Sequence, residues 1–215
     1  MAGRIITVAQ QKGGSGKTTL AAHLAVAWRL EAGHSVALLD VDPQGSLGEW
    51  LERREQRLGE DETGFVFRTA SGWGARREAR ALARDHDLVV VDTAPHADRE
   101  ARTAMELASA VVVPMQPTPA DLWATEATLE LAGKERVDAI IVLNRVAPRA
   151  RLTDEIVAAL AAIDTPLASA RLGNRVLFAE SLGTGSSVLE SRPSSPAAEE
   201  VRALAAELLR FAQSA

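Results

Sequence analysis

Apolar and polar residues follow two different patterns along this chain, and segments of the two patterns alternate. Short, continuous apolar runs predict strands that are covered on both faces, as in a parallel sheet. Longer runs with an apolar residue at every third or fourth position predict amphipathic helices. The predicted strands are Ile5–Ala9, Ser35–Asp40, Phe65–Arg68, Leu88–Asp92, Ala110–Met115 and Ala139–Asn144, with a weaker one near Pro166–Ser169. The predicted helices are Lys17–Glu31, Ser46–Arg57, Gly74–Asp85, Asp98–Ala108, Ala120–Ala132, Asp154–Ile163, Asn174–Ser181 and Ala197–Gln213.

Strands and helices follow each other in turn through the whole chain. This order predicts an α/β fold, a doubly wound and mostly parallel sheet of about seven strands with helices on both faces. The length of 215 residues fits one domain over residues 1–215. The Ser/Pro-rich stretch Ser191–Pro196 is interpreted as a turn before the last helix and not as a domain boundary.

The segment Gln11–Thr19 lies directly between the first predicted strand and the first predicted helix. A glycine-rich loop in this position lets backbone N–H groups surround a phosphate, and the positive end of the helix dipole points to the same place. Lys17 would supply a cation for the β- and γ-phosphates, and the hydroxyl of Thr18 a ligand for Mg²⁺. The predicted ATP-binding residues here are Lys12, Gly13, Gly14, Ser15, Gly16, Lys17, Thr18 and Thr19.

This loop departs from the ordinary phosphate-binding motif. Gln11 stands where that motif has its first glycine, and a second lysine, Lys12, precedes the glycine pair. Two cations beside one nucleotide suggest that one of them serves a second nucleotide. The segment resembles the deviant Walker A motif of the ParA/MinD family of ATPases, whose early lysine reaches the ATP of a partner subunit. The resemblance implies that Lys12 has this role in an ATP-dependent homodimer.

Carboxylates follow two of the predicted strands, where ligands of a parallel sheet bind. Asp40 and Asp42 close the second strand, and either they belong to an Asp-Pro turn or they face the nucleotide. The segment resembles the switch I of the family, which implies that Asp42 positions the hydrolytic water and Asp40 supports the metal. Asp92 ends an apolar strand in the Walker B arrangement and is expected to hold Mg²⁺ through a water. The residues 93–95 after it resemble the mobile switch II.

Two later strand ends carry weaker signals. Three prolines in the segment 114–119 either stiffen a loop at the ligand edge or form a plain turn in which Pro119 and Asp121 start a helix. Trp123 belongs either to a dimer interface or to the core. Asn144 ends the sixth strand, and it is either a turn residue or, as the resemblance implies, a contact to adenine.

Arginines near the C-terminal part of the chain form a candidate DNA surface. In DNA-binding members of the family, arginines in this part of the fold form a patch on the dimer, which would contact phosphates without reading sequence. Each of them is otherwise a solvated surface residue. The candidates are Arg145, Arg149, Arg151, Arg171, Arg175 and Arg192. A second basic run, Arg76, Arg77, Arg80 and Arg84, is interspersed with acidic residues and is interpreted as a solvated face.

The amino-acid composition excludes several classes of protein that are related to such an ATPase. With no cysteine, the chain has no disulfide, thiolate metal site or iron–sulfur cluster, and with no tyrosine it is not a kinase that phosphorylates its own tyrosines. The net charge of −5 argues against a globally basic protein. No signal segment or spanning run is visible, so we expect a cytoplasmic protein. Its association with the nucleoid is implied by the resemblance alone.

The leading hypothesis is a small ParA-type ATPase that binds nonspecific DNA and segregates or positions a plasmid, a chromosome region or a protein cargo. It would be a slow, Mg²⁺-dependent enzyme that a ParB-like or cargo-adaptor protein stimulates. The absence of a helix-turn-helix before the first strand points to the small group. One alternative is a MinD-like membrane-associated regulator, but the residues 203–215 carry one arginine and no lysine. Another is a metabolic P-loop ligase.

Overall fold

The computed structural model describes residues 2–95 and 98–215 as alternating strands and helices. The strands are β1 (Arg4–Val8), β2 (Val36–Asp40), β3 (Val66–Thr69), β4 (Leu88–Asp92), β5 (Ala110–Met115) and β6 (Ala139–Leu143). The helices are α1 (Lys17–Leu30), α2 (Ser46–Leu58), α3 (Trp73–Asp85), α4 (Asp98–Met105), α5 (Pro119–Glu135), α6 (Arg151–Leu160), α7 (Val176–Gly183), α8 (Val188–Ser191) and α9 (Pro196–Ser214). A short 3₁₀ helix covers Glu60–Glu62.

The strands form one sheet in the order β3-β2-β4-β1-β5-β6, and every neighbouring pair in it is parallel. The doubly wound α/β prediction is confirmed. The sheet has six strands. The weaker seventh segment runs beside β6 as a single parallel bridge between Ile141 and Leu167. The backbone N–H of Ala168 donates to Ile141 O at 2.8 Å there, but Pro166 has no N–H to extend the ladder.

Apolar residues of the strands point to both faces of the sheet, as their continuous runs predict. In β4, Leu88 and Val90 join the core under α1 and α9, whereas Val89 and Val91 join the core under α3. Consecutive side chains of a strand alternate between faces, so an all-apolar strand needs a layer of helices on each side. These layers fix the strands whose ends carry the polar segments.

The last helix, α9, packs its apolar face into the core. Val201, Leu204 and Leu208 are buried there, and the indole N–H of Trp28 donates to Ala205 O at 2.9 Å. The structure holds no helix, in the ranges that it describes, with the length and apolarity to cross a bilayer.

The parallel sheet brings the ends of β1, β2, β4 and β6 to one edge. In the register, Asp40 of β2 lies beside Asp92 of β4, and Asp92 lies beside Val8 of β1, from which the glycine-rich loop departs. The polar segments singled out in the sequence therefore meet above one edge of the sheet.

Candidate nucleotide-binding site

The loop between β1 and α1 has a backbone that only glycine adopts readily. Gly14 has φ of 76° and Gly16 has φ of 96°, both in the left-handed region. A Cβ on Gly16 would lie 2.3 Å from Nδ2 of Asn144, so the loop also approaches β6 too closely for any side chain. Gly16 precedes α1 without a side-chain cap. The loop thus directs free N–H groups of a helix start into one concavity.

Lys17 lies inside this concavity. Its side chain is buried, and Nζ donates to the backbone oxygen of Lys12 at 3.4 Å. Burial lowers the pKa of Lys17, whereas the carboxylates of Asp92 and Asp42 oppose that shift. The hydroxyl of Ser15 is buried and has no partner among the described residues. A buried cation beside an unpaired hydroxyl suits an anionic group with several acceptor oxygens.

Thr18 and Asp92 face each other at the end of β4. The hydroxyl of Thr18 donates to Oδ2 of Asp92 at 2.6 Å, and Oδ1 of this fully buried carboxylate has no partner in the described part of the chain. Burial raises the pKa of Asp92 to about 7. A hydroxyl and a carboxylate with one orphaned oxygen are ligands that Mg²⁺ prefers, so the residues present fit the metal.

Asp40 and Asp42 have different surroundings. Asp40 is buried and accepts from the backbone N–H groups of Asp42 at 2.9 Å and Gly48 at 3.3 Å, so it ties the loop to the first turn of α2. Burial raises its pKa against these hydrogen bonds. Asp42 is only half-buried and accepts from the N–H of Gln44 at 2.9 Å. The structure therefore gives Asp42 the more accessible carboxylate of the two.

Lys12 makes a salt bridge within its own chain. Its Nζ contacts Oδ2 of Asp121 in the first turn of α5; the lysine side chain is 35% exposed and the carboxylate is fully buried. Asp121 also accepts from the hydroxyl of Thr118 at 2.6 Å and the N–H of Gln116 at 3.2 Å. Sequence reasoning treated Asp121 only as a helix-start residue, which it is, because Thr118 caps α5 and Pro119 begins it. It missed the pairing with Lys12.

Sequence reasoning also missed a polar contact between the residues that follow β1 and helix α5. Nε2 of Gln10 donates to the hydroxyl of Thr125 at 2.9 Å, and Oε1 of Gln10 accepts from Thr128 at 3.0 Å. The hydroxyl of Thr128 in turn accepts from the N–H of Gln11 at 3.2 Å. Two threonines, three residues apart on a helix, were the only signal. Together with the Lys12–Asp121 pair, they fix the start of the glycine-rich loop against α5.

Asn144 joins the other side of the loop to β6. Its Nδ2 donates to the backbone oxygen of Ser15 at 2.8 Å, and its Oδ1 accepts from the N–H of Arg145 at 2.9 Å. A primary amide has two donors and two acceptor positions, so one of each remains. Asn144 and Thr19 line a cavity of about 690 Å³ between α2 and α7. This volume is in the range of small-molecule sites and suits the nucleoside part of a nucleotide.

The six candidate DNA arginines are all exposed. The structure brings four of them, Arg145, Arg149, Arg171 and Arg175, to the lining of two adjoining cavities. Arg151 lines neither and pairs with Glu155 at 3.0 Å, and Arg192 lines neither. On α3, Arg77, Arg80 and Arg84 are exposed, as a solvated face predicts. Arg76 is the exception, because it is half-buried, pairs with Glu106 and lies over the ring of Trp73.

Trp123, which the sequence left between core and interface, is 67% exposed on α5, two residues from Asp121. It is therefore not a core residue. It is a large apolar side chain on the surface of the helix whose first turn holds Lys12.

Comparisons with known proteins agree with this geometry. Residues 6–188 match the family described as the CobQ/CobB/MinD/ParA nucleotide binding domain. The chromosome-partitioning ATPase Soj of Thermus thermophilus is 32% identical over 99% of this chain and 98% of its own length. The maintenance of carboxysome distribution protein A of Halothiobacillus neapolitanus is 26% identical over 86% of each chain.

Among solved structures, the ATP complex of a variant of Cyanothece McdA superposes with a TM-score of 0.80. The match covers 99% of this chain and 97% of that one at 13% identity, so it supports the fold alone.

Proposed function

Because the chain belongs to the family of CobQ/CobB/MinD/ParA nucleotide-binding domains, we propose that it is a slow, Mg²⁺-dependent ParA-like ATPase that works as an ATP-bound homodimer. The glycine-rich loop and Lys17 bind the phosphates, and the cavity beside Asn144 takes the nucleoside. The amide edge that remains on Asn144 contacts adenine. Positioning and charge neutralisation supply most of the catalysis of phosphoryl transfer, so few residues are needed.

Thr18 and, through water, Asp92 would hold Mg²⁺, which neutralises charge on the phosphates when it is bound. Asp42, the accessible carboxylate after β2, positions the attacking water. Asp40, which lies beside Asp92 in the sheet, supports the metal through water, and its two oxygens also hold the loop that carries Asp42. We assign Lys17 and Asp42 to the catalytic step at the nucleotide bound by the same subunit.

One observation supports the dimer: the ammonium group of Lys12 is paired with Asp121 of α5, whereas Lys17 lies buried in the loop. The side chain of Lys12 is partly exposed, and α5 also carries the exposed Trp123. A lysine so placed can reach the nucleotide of a second copy, with Trp123 at the interface. Cations supplied in this way typically accelerate phosphoryl transfer about 10³- to 10⁵-fold.

We propose further that the ATP-bound dimer binds DNA nonspecifically through its arginines and so associates with the nucleoid. A ParB-like or cargo-adaptor protein would stimulate hydrolysis and release the dimer. Such a cycle positions or segregates a plasmid, a chromosome region or a protein cargo, as the names of the relatives indicate for them. The apolar face of α9 is packed into the core, so α9 does not present it to a lipid surface. This favours DNA as the surface that the ATP-bound dimer binds.

The test is binding to random-sequence duplex DNA with ADP, with ATP, and with ATP and the Asp42→Ala variant. We expect DNA binding with ATP only, longer-lived in Asp42→Ala because that variant does not hydrolyse ATP. Lys12→Ala should abolish it. ATP-driven dimerisation without DNA binding would contradict the DNA step and leave a lipid or protein surface. Absence of both would contradict the ParA-like cycle.

A further inference from the structure

We propose that the N-terminus of α6 forms a binding recess for one phosphate of a nucleic acid backbone. The recess is a cavity of about 380 Å³ beside the edge strand β6. The side chains that matter among its lining residues are those of Arg149, Thr153, Asp154, Arg171, Arg175 and Glu200. We call this cavity the α6 recess. The inference rests on the DNA binding proposed above and assigns that binding to a place.

The first turn of α6 opens on the recess without a cap. Ala150 stands at the N-cap position and offers no side-chain acceptor to the first N–H groups. Ile156 and Leu160, further along the helix, are buried in the core and hold it in place. The free N–H groups and the helix dipole favour an anion at this end.

The buried hydroxyl of Thr153 is the second, independent observation. Thr153 lines the recess and is only 4% exposed, yet its Oγ1 makes no hydrogen bond to any residue that the structure describes. A buried hydroxyl without a partner is unfavourable, and one in a native site usually marks an ion or water that completes it. A phosphate oxygen in the recess would give this hydroxyl an acceptor.

The charges of the recess favour an anion. Arg149 and Arg171 are exposed, and neither forms an ion pair within the described ranges. Arg175 is held by Glu200, with Nη2 and Oε1 at 2.6 Å, so this carboxylate is already neutralised. Asp154 is the remaining carboxylate, and it is exposed. Three guanidinium groups therefore face two carboxylates, one of which is paired.

The recess adjoins the nucleoside cavity. Gly173, Asn174 and Arg175 line both, so one segment forms a wall of each. The N–H of Gly173 donates to Glu200 of α9, and the N–H of Asn174 donates to Val146 O at 2.9 Å in the chain after β6. A nucleotide in the first cavity would contact the segment that also lines the recess, which gives DNA binding a route to depend on ATP.

The experiment measures binding of ATP-loaded protein to a random duplex across a range of salt concentrations. We expect Arg149→Ala and Arg171→Ala each to weaken binding about tenfold near 0.1 M salt, and to reduce the salt slope by about one counterion. Thr153→Val should weaken binding about fivefold without changing the salt slope, because it removes one neutral hydrogen bond. Thr153→Ser should restore binding. Arg80→Ala on α3 is the matched control, with the same loss of charge and unchanged binding.

A second readout separates binding from folding. Because the hydroxyl of Thr153 has no partner, Thr153→Val should melt at the same temperature as the wild type or higher, while its DNA affinity falls. A valine variant that unfolds more easily would contradict the recess, since Thr153 would then have a structural partner. The arginine variants test the recess even if the valine variant does not fold.

A parallel titration with inorganic phosphate, followed through the amide signals of the first turn of α6, identifies the source of the anion. Phosphate shifts together with weakened DNA binding in the variants support the proposal. Phosphate shifts with wild-type DNA affinity in all variants would overturn it in favour of a small phosphate ligand. If the wild-type protein binds DNA and the recess variants do so equally, the recess is wrong and the proposed function stands. If the wild-type protein binds no DNA in any nucleotide state, both fail.

Discussion

The ammonium group of Lys12 is paired with Asp121, a carboxylate that is completely buried and also accepts hydrogen bonds from Thr118 and Gln116. A buried carboxylate that loses its cation is strongly disfavoured. For Lys12 to reach a second nucleotide, the dimer must therefore offset the loss of this pair. In the proposed cycle, the pair would therefore oppose dimerisation in the absence of ATP.

Asp121→Asn should therefore tighten the ATP-dependent dimer. The amide oxygen can still accept from Thr118, but it no longer holds the ammonium group of Lys12 as a counter-ion. Since Lys12 is partly exposed, we expect a modest gain, about fivefold in the dimer dissociation constant. Sedimentation at several concentrations with ATP measures it. Glu126→Gln, on the same helix, is the control. A weaker dimer would show that Asp121 supports the interface instead.

The buried carboxylate of Asp92 should lower the free energy of unfolding of the nucleotide-free protein as the pH rises. Its pKa is raised from 3.8 to about 7 by burial, so between these values the folded protein keeps a proton that the unfolded chain has lost. The contribution of this group to stability is greatest below the lower value and falls as the pH rises towards 7, by as much as ~4 kcal/mol.

Asp92→Asn removes this effect and keeps an acceptor for the hydroxyl of Thr18. At about pH 8 and without nucleotide, we expect the variant to have the larger free energy of unfolding in urea, with a smaller difference near pH 5. ATP hydrolysis should be lost, because the carboxylate that would hold Mg²⁺ is gone. A variant less stable than the wild type at pH 8 would contradict the assignment.

Asn144 connects the glycine-rich loop to the nucleoside cavity, so its removal should have two separable effects. Asn144→Ala loses the hydrogen bond to Ser15 and should weaken ADP and GDP binding alike, by about tenfold. It also loses the contact proposed to adenine, so the affinity for ADP should fall further. Calorimetry with both nucleotides measures this. Glu126→Gln on α5, which is exposed and does not line this cavity, is the control. Equal losses for ADP and GDP would restrict Asn144 to holding the loop.

The sequence predicted those parts of the site that are local in the chain. The loop 11–19, the Asp40–Asp42 segment and Asp92 each follow a strand directly, and the parallel sheet then places all strand ends together. The two layers of helices follow from the same alternation. The roles of these residues came from the resemblance to the ParA/MinD family, and the order of the strands in the sheet was not predicted.

The contacts that the sequence did not predict join distant segments. Lys12 and Asp121 are 109 residues apart, and Gln10 and Thr125 are 115 residues apart. The α6 recess combines residues 146–154, residues 171–175 and Glu200. Side-chain partners of this kind depend on how a helix is rotated against the sheet, and no local pattern encodes that angle. The single bridge at Leu167 likewise depends on how far the chain after α6 follows β6.

The most direct test of the account is whether Lys12 acts on the nucleotide of the other subunit. The measurement is the ATPase rate of an equal mixture of Lys12→Ala and Asp42→Ala, each of which should be inactive alone. In a mixed dimer, the site with an intact Asp42 receives the intact Lys12 of its partner. If the lysine crosses the interface, the mixture should recover activity. With random pairing the recovery is about a quarter of the wild-type rate, because half of the dimers are then mixed and one of their two sites is complete. A mixture as inactive as its parts would contradict the account.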